Sequence, residues 1–275
     1  LRSGGRIAPV HERISSPDNA LVKRVARLVE SGRARREART AVIDGAHLVD
    51  AFMRSGQRAQ VLFASDQGLA SRELRNLFER CPADRRILVT DRVLERMATV
   101  ETPTGLLALI GIPTAPPTSG TGRDAVWLDG VQDAGNVGSI LRSAGAVGVQ
   151  HAVAGRGTAD LWSPKVLRAA MGAHFAMAQL DSVALIDLVG ARRKSDLPIL
   201  VTSADGECDL YDADLREPAI WVFGAEGAGV SAALREAAAL RVRIPMAAQT
   251  ESLNVAVAAA VCLFEQARQR RCRAD

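Results

Sequence analysis

Three short polar clusters in the second half of the chain constrain its fold most. They are Asn136-Val-Gly-Ser-Ile-Leu-Arg142, Phe223-Gly-Ala-Glu-Gly-Ala-Gly229, and Ile244-Pro-Met246 followed by Ser252-Leu-Asn254. Each stands where an apolar strand pattern gives way to a helical one. Each therefore presents backbone N–H groups and polar side chains at a helix start. In an open parallel sheet, corners of this kind lie on one edge, and ligands bind there. Three of them in series predict an alternating α/β fold whose corners share one pocket.

The chain has 275 residues, enough for one large domain or two moderate ones. A hydrophobic fraction of 48 % suffices for a packed core. No apolar run approaches the ~20 residues of a membrane-crossing helix. The longest, residues 255–264, is alanine-rich and reads as a buried helix. No charged-then-apolar leader pattern opens the sequence. The four cysteines, Cys81, Cys208, Cys262 and Cys272, form no Cys-x-x-Cys pair. Their spacing argues against a zinc site or a disulfide framework, and for reduced thiols in a cytoplasmic protein.

Charge is unevenly spread, with a net +6 over residues 1–122 and −2 over residues 123–275. Within 23–39, Lys23, Arg24, Arg27, Arg33, Arg35, Arg36 and Arg39 face only Glu30 and Glu37. This is a candidate phosphate-binding face for RNA. The plainer alternative is a solvated helix in an arginine-rich protein, since all but three of the 35 basic residues are arginine. Aromatics make up only 4 %, so base stacking is not the expected mode of RNA contact.

A Pro-, Gly- and Thr-rich stretch over 111–122 carries neither helical nor strand periodicity. It divides a small domain (1–112) from a larger one (123–275), with 113–122 as linker. In the first, Ser16-Pro17-Asp18-Asn19 opens a helix bearing Leu21, Val25 and Leu28, and Gly32 suits its end. Strands at 41–44, 60–64, 87–89 and 106–110 then alternate with helices at 47–53, 74–78 and 91–97, an αβ sandwich. In the second, strands fall at 125–128, 151–154, 199–202, 220–223 and 241–244. A long helix over 251–271 follows, with an apolar stripe of Leu253, Val257, Val261 and Phe264. Its Ala256 and Ala258–Ala260 permit close approach by another backbone.

Neither common phosphate loop is present. The glycines after the strand at 125–128 do not follow Gly-x-Gly-x-x-Gly, and no Gly-Lys-Ser/Thr occurs. Asn136 suits a helix cap. Arg142, among small residues, suits bidentate grip of a phosphate. Glu226, lodged between glycines, suits a held contact. Thr250 or Glu251 can cap the last helix, which puts Ser252 and Asn254 in its first turns.

In these three segments the chain resembles the SPOUT superfamily, in its SpoU/TrmH branch of RNA ribose 2′-O-methyltransferases. The likeness covers about residues 124–272, with all three motifs in order. The first domain is similar to the small substrate-binding domain that precedes the catalytic domain in many members, a fold shared with certain RNA-binding ribosomal proteins. The thiostrepton-resistance-type rRNA methyltransferases have this two-domain layout. The resemblance implies a trefoil-knotted α/β domain, a homodimer with the active site at the interface, no metal, and S-adenosylmethionine bound largely through backbone groups. Carried over by motif, the cofactor contacts fall at Thr202, Gly224, Ile244, Met246 and Leu253. Arg142 falls at the catalytic position, with Asn136, Glu226, Ser252 and Asn254 around it. Lys23, Arg24, Arg27, Arg33, Arg35 and Arg36 are the candidate RNA contacts.

The expected reaction is in-line attack of a ribose 2′-hydroxyl on the sulfonium methyl. A guanidinium stays protonated at neutral pH. Arg142 is therefore expected to hold phosphate and stabilise developing alkoxide, with a phosphate oxygen or water taking the proton. Ribosomal RNA is the expected target, ahead of transfer RNA, because of the separate basic domain. The alternatives are a non-catalytic RNA-binding assembly factor, a base-methylating SPOUT enzyme and, more distantly, a dehydrogenase.

Overall fold

The computed structural model describes residues 12–113, 123–177, 179–190, 197–248, 250 and 252–272. The chain divides into two compact units, Leu1–Ile112 and Pro113–Asp275. Most of the Pro/Gly-rich stretch lies outside the described residues.

The first unit runs β1 (Glu12–Ile14), α1 (Ala20–Glu30), α2 (Gly32–Ala38), β2 (Thr40–Asp44), α3 (Ala46–Arg54), β3 (Ala59–Ser65), α4 (Asp66–Ala70), α5 (Arg72–Arg80), β4 (Ala83–Val89), α6 (Asp91–Met97) and β5 (Leu106–Gly111). Its sheet has the order β1-β4-β3-β5-β2. The β1–β4 and β3–β4 pairs are parallel, and β5 is antiparallel to β3 and β2. Central β3 is buried on both faces. Val61 and Phe63 join Val22, Val25, Val93 and Met97 in one core, while Leu62 is buried on the opposite face.

Three details differ from the sequence expectation. The first helix starts at Ala20, because the Asn19 side chain accepts from the Leu21 N–H at 2.8 Å; Pro17 lies in the turn before it. It stops at Glu30, not at Gly32. Ser31 closes α1 through its own N–H, and its hydroxyl accepts from the Ala34 N–H to open α2. This second helix turns Arg35 inward. Its guanidinium donates to the carbonyls of Leu28 and Val29 at 2.6 and 3.0 Å, satisfying groups that the end of α1 leaves open. Arg35 is 4 % exposed and so is not part of a surface for phosphate.

The second unit runs β6 (Ala125–Asp129), α7 (Ala134–Ala146), β7 (His151–Ala154), α8 (Pro164–Ala169), a 3-10 turn (Ala173–Phe175), β8 (Gln179–Ser182), α9 (Leu185–Gly190), β9 (Ile199–Thr202), β10 (Cys208–Asp209), β11 (Ile220–Gly224), α10 (Ala232–Glu236), β12 (Leu240–Arg243) and α11 (Val255–Arg271). The sheet order is β10-β12-β9-β11-β6-β7-β8, and every pairing is parallel. Strand β11 fills the place between β6 and β9, and β12 passes to the far side of β9. The short strands β8 and β10 were not in the sequence expectation.

One face of this sheet packs Trp127, Val201, Val222 and Leu234 in a single cluster. On the other, α11 packs against α7 and β11. There the buried Trp221 stacks on Phe223, with ring centroids 6.1 Å apart. The Trp221 indole N–H donates to buried Gln266 on α11 at 3.0 Å, which satisfies both. The apolar stripe expected to pack does not. Val257 and Phe264 are 49 % and 52 % exposed, while Ala256, Ala259, Cys262 and Leu263 form the buried side. Small residues let α11 lie close to its neighbours and leave the bulky ones outside.

Buried His174, in the 3-10 turn, meets Trp162 edge-on with centroids 5.2 Å apart. Its Nε2–H donates to the Leu161 carbonyl at 2.7 Å. Nδ1 has no hydrogen-bond partner among the described residues. Burial pushes its pKa down to about 4.

Candidate active site

Because the sheet of the second unit is parallel, β6, β9, β11 and β12 all end on one edge. The loops leaving these ends build the site. After β11, residues 225–229 fold back as a tight turn in which Ala225 and Gly229 exchange backbone hydrogen bonds of 3.1 and 2.8 Å. The turn closes onto Gly224. A Cβ there would lie 2.1 Å from the carbonyl carbon of Gly229, so no larger residue fits. Asp129, at the end of β6, accepts from the Ser231 N–H at 2.7 Å and ties the far side of the turn to the sheet.

Glu226 is carried on this turn and is held from two other corners. Asn136 Nδ2 donates to the Glu226 carboxylate. Asn254 Nδ2 donates to Asn136 Oδ1 at 3.0 Å. Asn254 Oδ1 accepts from the N–H groups of Ala256 and Val257 at 2.9 and 3.3 Å. The chemistry of the groups gives this chain a direction. Helix N–H groups can only donate, so the Asn254 amide must turn its oxygen to them and its NH₂ to Asn136. Asn136 then turns its own NH₂ to Glu226. The arrangement runs from the N-terminus of α11 to the Glu226 carboxylate.

Two cap assignments change. Asp133, not Asn136, caps α7; its carboxylate accepts from the Asn136 N–H at 2.8 Å, and Asn136 sits in the first turn. Asn254 caps α11, which starts at Val255. Ser252 thus precedes the helix and Thr250 stands further out, while Glu251 lies outside the described residues.

A cleft of about 720 Å³ opens at these corners, within the range of sites for ligands of drug or cofactor size. It brings together Thr202, Gly224, Glu226, Ile244, Met246, Ser252, Leu253 and Asn254 from the expected set. Met246 and Leu253 are each 37 % exposed there, apolar surface open to a ligand. Within 224–229 only Glu226 has a side chain larger than a methyl group, so that stretch offers mainly backbone to the cleft. Arg142 is not among the residues of this cleft. It is exposed on α7, with no hydrogen bond or ion pair among the described residues.

Three polar lining residues were not foreseen. Ser203 and Asp205 follow β9, and Arg235 lies on α10. The Ser203 hydroxyl donates to Asp205 Oδ1, and Arg235 donates to Asp205 Oδ2 at 2.7 Å. First the Ser203 hydrogen bond, then the Arg235 charge, hold the Asp205 carboxyl below its usual range. The available signal was positional: 203–205 leaves a strand end on the same edge as the named motifs.

In the first unit, Lys23, Arg24, Arg27, Arg33 and Arg36 are exposed. Lys23 pairs with Asp18 at 2.9 Å and Arg33 with Glu37 at 2.6 Å. Arg24, Arg27 and Arg36 have no ion-pair partner among the described residues.

Comparison with known proteins places this architecture. The model of the MRM3-like substrate binding domain matches residues 19–108. An uncharacterized tRNA/rRNA methyltransferase of Synechocystis is 32 % identical over 264 residues, 94 % of each chain. The 23S rRNA (uridine(2479)-2′-O)-methyltransferase of Streptomyces viridochromogenes is 30 % identical over 277 residues, 98 % of this chain and 96 % of that one. The crystal structure of the SpoU methyltransferase AviRb from the same organism, in complex with the cofactor AdoMet, aligns with a TM-score of 0.83 at 28 % identity. That alignment covers 92 % of this chain and 98 % of that one. The model of the SpoU rRNA Methylase family matches residues 124–264, the segment that holds every corner of the cleft, and the chain belongs to that family.

Proposed function

We propose that the chain is an S-adenosylmethionine-dependent methyltransferase acting on ribose 2′-hydroxyls of ribosomal RNA, as a cytoplasmic homodimer. The observation that carries this reading is the Glu226–Asn136–Asn254 chain at a cleft walled in part by the glycine- and alanine-rich turn of 224–229. Its residues fit the cofactor. The glycine-rich turn offers backbone groups at close range, and Met246 and Leu253 offer apolar contact for an adenosyl group. The relative from Streptomyces viridochromogenes, a 23S rRNA 2′-O-methyltransferase by name, supports the substrate class. The AdoMet complex of AviRb supports the cofactor.

Bound cofactor supplies an electrophilic methyl group on a sulfonium. The residues of this chain supply alignment and electrostatics. The backbone at Gly224, Ile244 and Leu253, with Thr202 and Met246, holds the cofactor. Glu226, fixed by Asn136, orients the ribose or cofactor, with Asn254 and Ser252 beside it. Arg142 grips an RNA phosphate and stabilises the alkoxide that develops as the 2′-hydroxyl loses its proton to a phosphate oxygen or water. Arg142 stands outside the cleft of its own chain, which fits an active site completed at a subunit interface. The exposed stripe of Val257 and Phe264 on α11 fits burial in that interface.

Of the candidate RNA contacts on the first unit, Arg24, Arg27 and Arg36, exposed and without an ion-pair partner among the described residues, are assigned to phosphate. The trefoil knot belongs to the same reading. Strand β11 inserts between β6 and β9, β12 passes beyond β9, and α11 comes back to α7 and β11.

Mapping 2′-O-methyl positions in RNA from cells lacking the protein tests the proposal. Loss of one ribosomal site, restored by the wild-type chain, is the expected result. Loss confined to transfer RNA would redirect the substrate, and an unchanged methylation map would sink the reading.

A further inference from the structure

Charged side chains are few in the cleft. Among the described residues that line it, Glu226 and Asp205 are the anions and Arg235 is the single cation. They divide between two ends. Glu226 follows β11 and is held by Asn136 on the β6 side. Asp205 follows β9 and lies on the β12 side, where the Ser203 N–H bonds the Val242 carbonyl at 3.0 Å. Strands β9 and β11 are neighbours, so the two ends flank one strand pair, Glu226 toward β6 and Asp205 toward β12.

The second end is rigid. The Gly206 N–H bonds the Ser203 carbonyl at 3.2 Å and closes the turn that carries Asp205. A Cβ on Gly206 would lie 2.6 Å from the Arg243 nitrogen, so the turn is pressed onto the backbone of β12. Leu234, beside Arg235, is 2 % exposed and anchors α10 in the core. The Arg235 side chain remains 38 % exposed beside Asp205. A cation and an anion 2.7 Å apart, both open to the cleft, form a surface complementary to a zwitterion.

We propose that Arg235 and Asp205 form the subsite for the amino-acid end of the cofactor, Arg235 receiving the α-carboxylate and Asp205 the α-ammonium. This rests on the cofactor reading above and extends it to residues outside the three motifs. The cofactor carries one anion, and the cleft offers one cation to meet it. Arg235 therefore contributes to affinity only for ligands that keep the carboxylate.

Calorimetry on the full chain with two ligands isolates the contribution. S-adenosylhomocysteine has the amino-acid end; 5′-methylthioadenosine has the adenosine and thioether without it. Arg235→Gln is expected to weaken S-adenosylhomocysteine binding about tenfold and to leave methylthioadenosine within about twofold. Arg235→Lys is expected to recover part of the loss. If Arg235→Gln weakens both ligands equally, or neither, the subsite assignment is overturned. If the wild-type chain binds neither ligand, it is the cofactor reading itself that fails.

Discussion

Asn254 donates to Asn136 across 118 positions of sequence, at 3.0 Å, while its other side-chain atom caps α11. One residue thus serves both a helix and the polar chain that ends on Glu226, and the two roles can be separated. Asn254→Asp keeps an oxygen for the helix N–H groups but loses the donor to Asn136. It should leave stability within about 0.5 kcal/mol and sharply reduce methyl transfer to RNA. Asn254→Ala should lose both, with about 1 kcal/mol of stability. Chemical denaturation beside a tritium-transfer assay reads the two effects; equal transfer by Asn254→Asp and wild type would refute the polar-chain role.

Arg142 has no hydrogen bond or ion pair among the described residues, so its removal is expected to cost the fold little. Arg142→Ala and Arg142→Lys should both keep the wild-type melting temperature. Each should lower transfer by about a hundredfold or more, since a lysine cannot reproduce the planar fork. Full transfer by both variants would show that the catalytic position has been misassigned.

Arg35 and its neighbours should behave in opposite ways. The double variant Arg24→Ala/Arg27→Ala should weaken RNA binding and lower the slope of log affinity against log salt by about 1.5. Its stability should be unchanged. Arg35→Ala should instead destabilise the first unit by about 1–3 kcal/mol, because two carbonyls of α1 lose their donor. Filter binding at several salt concentrations and thermal melts distinguish the pair.

His174 should make the protein sensitive to mild acid. Its pKa falls from 6.5 to about 4 on burial. Between those values the unfolded chain binds a proton that the folded chain refuses, so stability rises with pH across this window. About 3 kcal/mol should be lost as pH drops from 6.5 to 4. In His174→Gln that part of the slope should vanish. A parallel pH dependence in variant and wild type would exclude His174 as its source.

Gly224→Ala should damage the cleft more than the fold around it. The added methyl meets backbone on the opposite limb of the 225–229 turn, and something must move. A loss of about 1–3 kcal/mol is expected, with cofactor affinity lowered more than tenfold. Calorimetry alongside thermal melts checks both.

Much of this arrangement is legible in sequence because strand ends and turn chemistry are local. The apolar runs at 125–128 and 220–223 mark central strands, and the glycines after Phe223 mark a turn that only glycine can make. The cap of α11 is not local in that sense. Thr250, Ser252 and Asn254 are all good caps by type, and the one that caps is the one that also reaches Asn136, more than a hundred residues away. Arg35 differs from Arg36 only in helical phase, and that phase is set by a helix boundary at Ser31. The stripe of Val257 and Phe264 reads as core because bulk suggests burial. Alanines that pack closer won that face instead. The Asp205–Arg235 pair belongs to no motif and is joined only by the fold.

The placement of β11 has a consequence for how the protein comes into being. Its two sheet neighbours, β6 and β9, are both synthesised earlier, and the Ala219 N–H bonds Asp124 from 95 positions away. Strand β11 thus joins two strands that both precede it in sequence and that do not pair with each other. The last donor to Glu226's network is Asn254, later still. A chain stopped short of residue 254 therefore holds every strand of the sheet but lacks both the cap of α11 and the donor to Asn136.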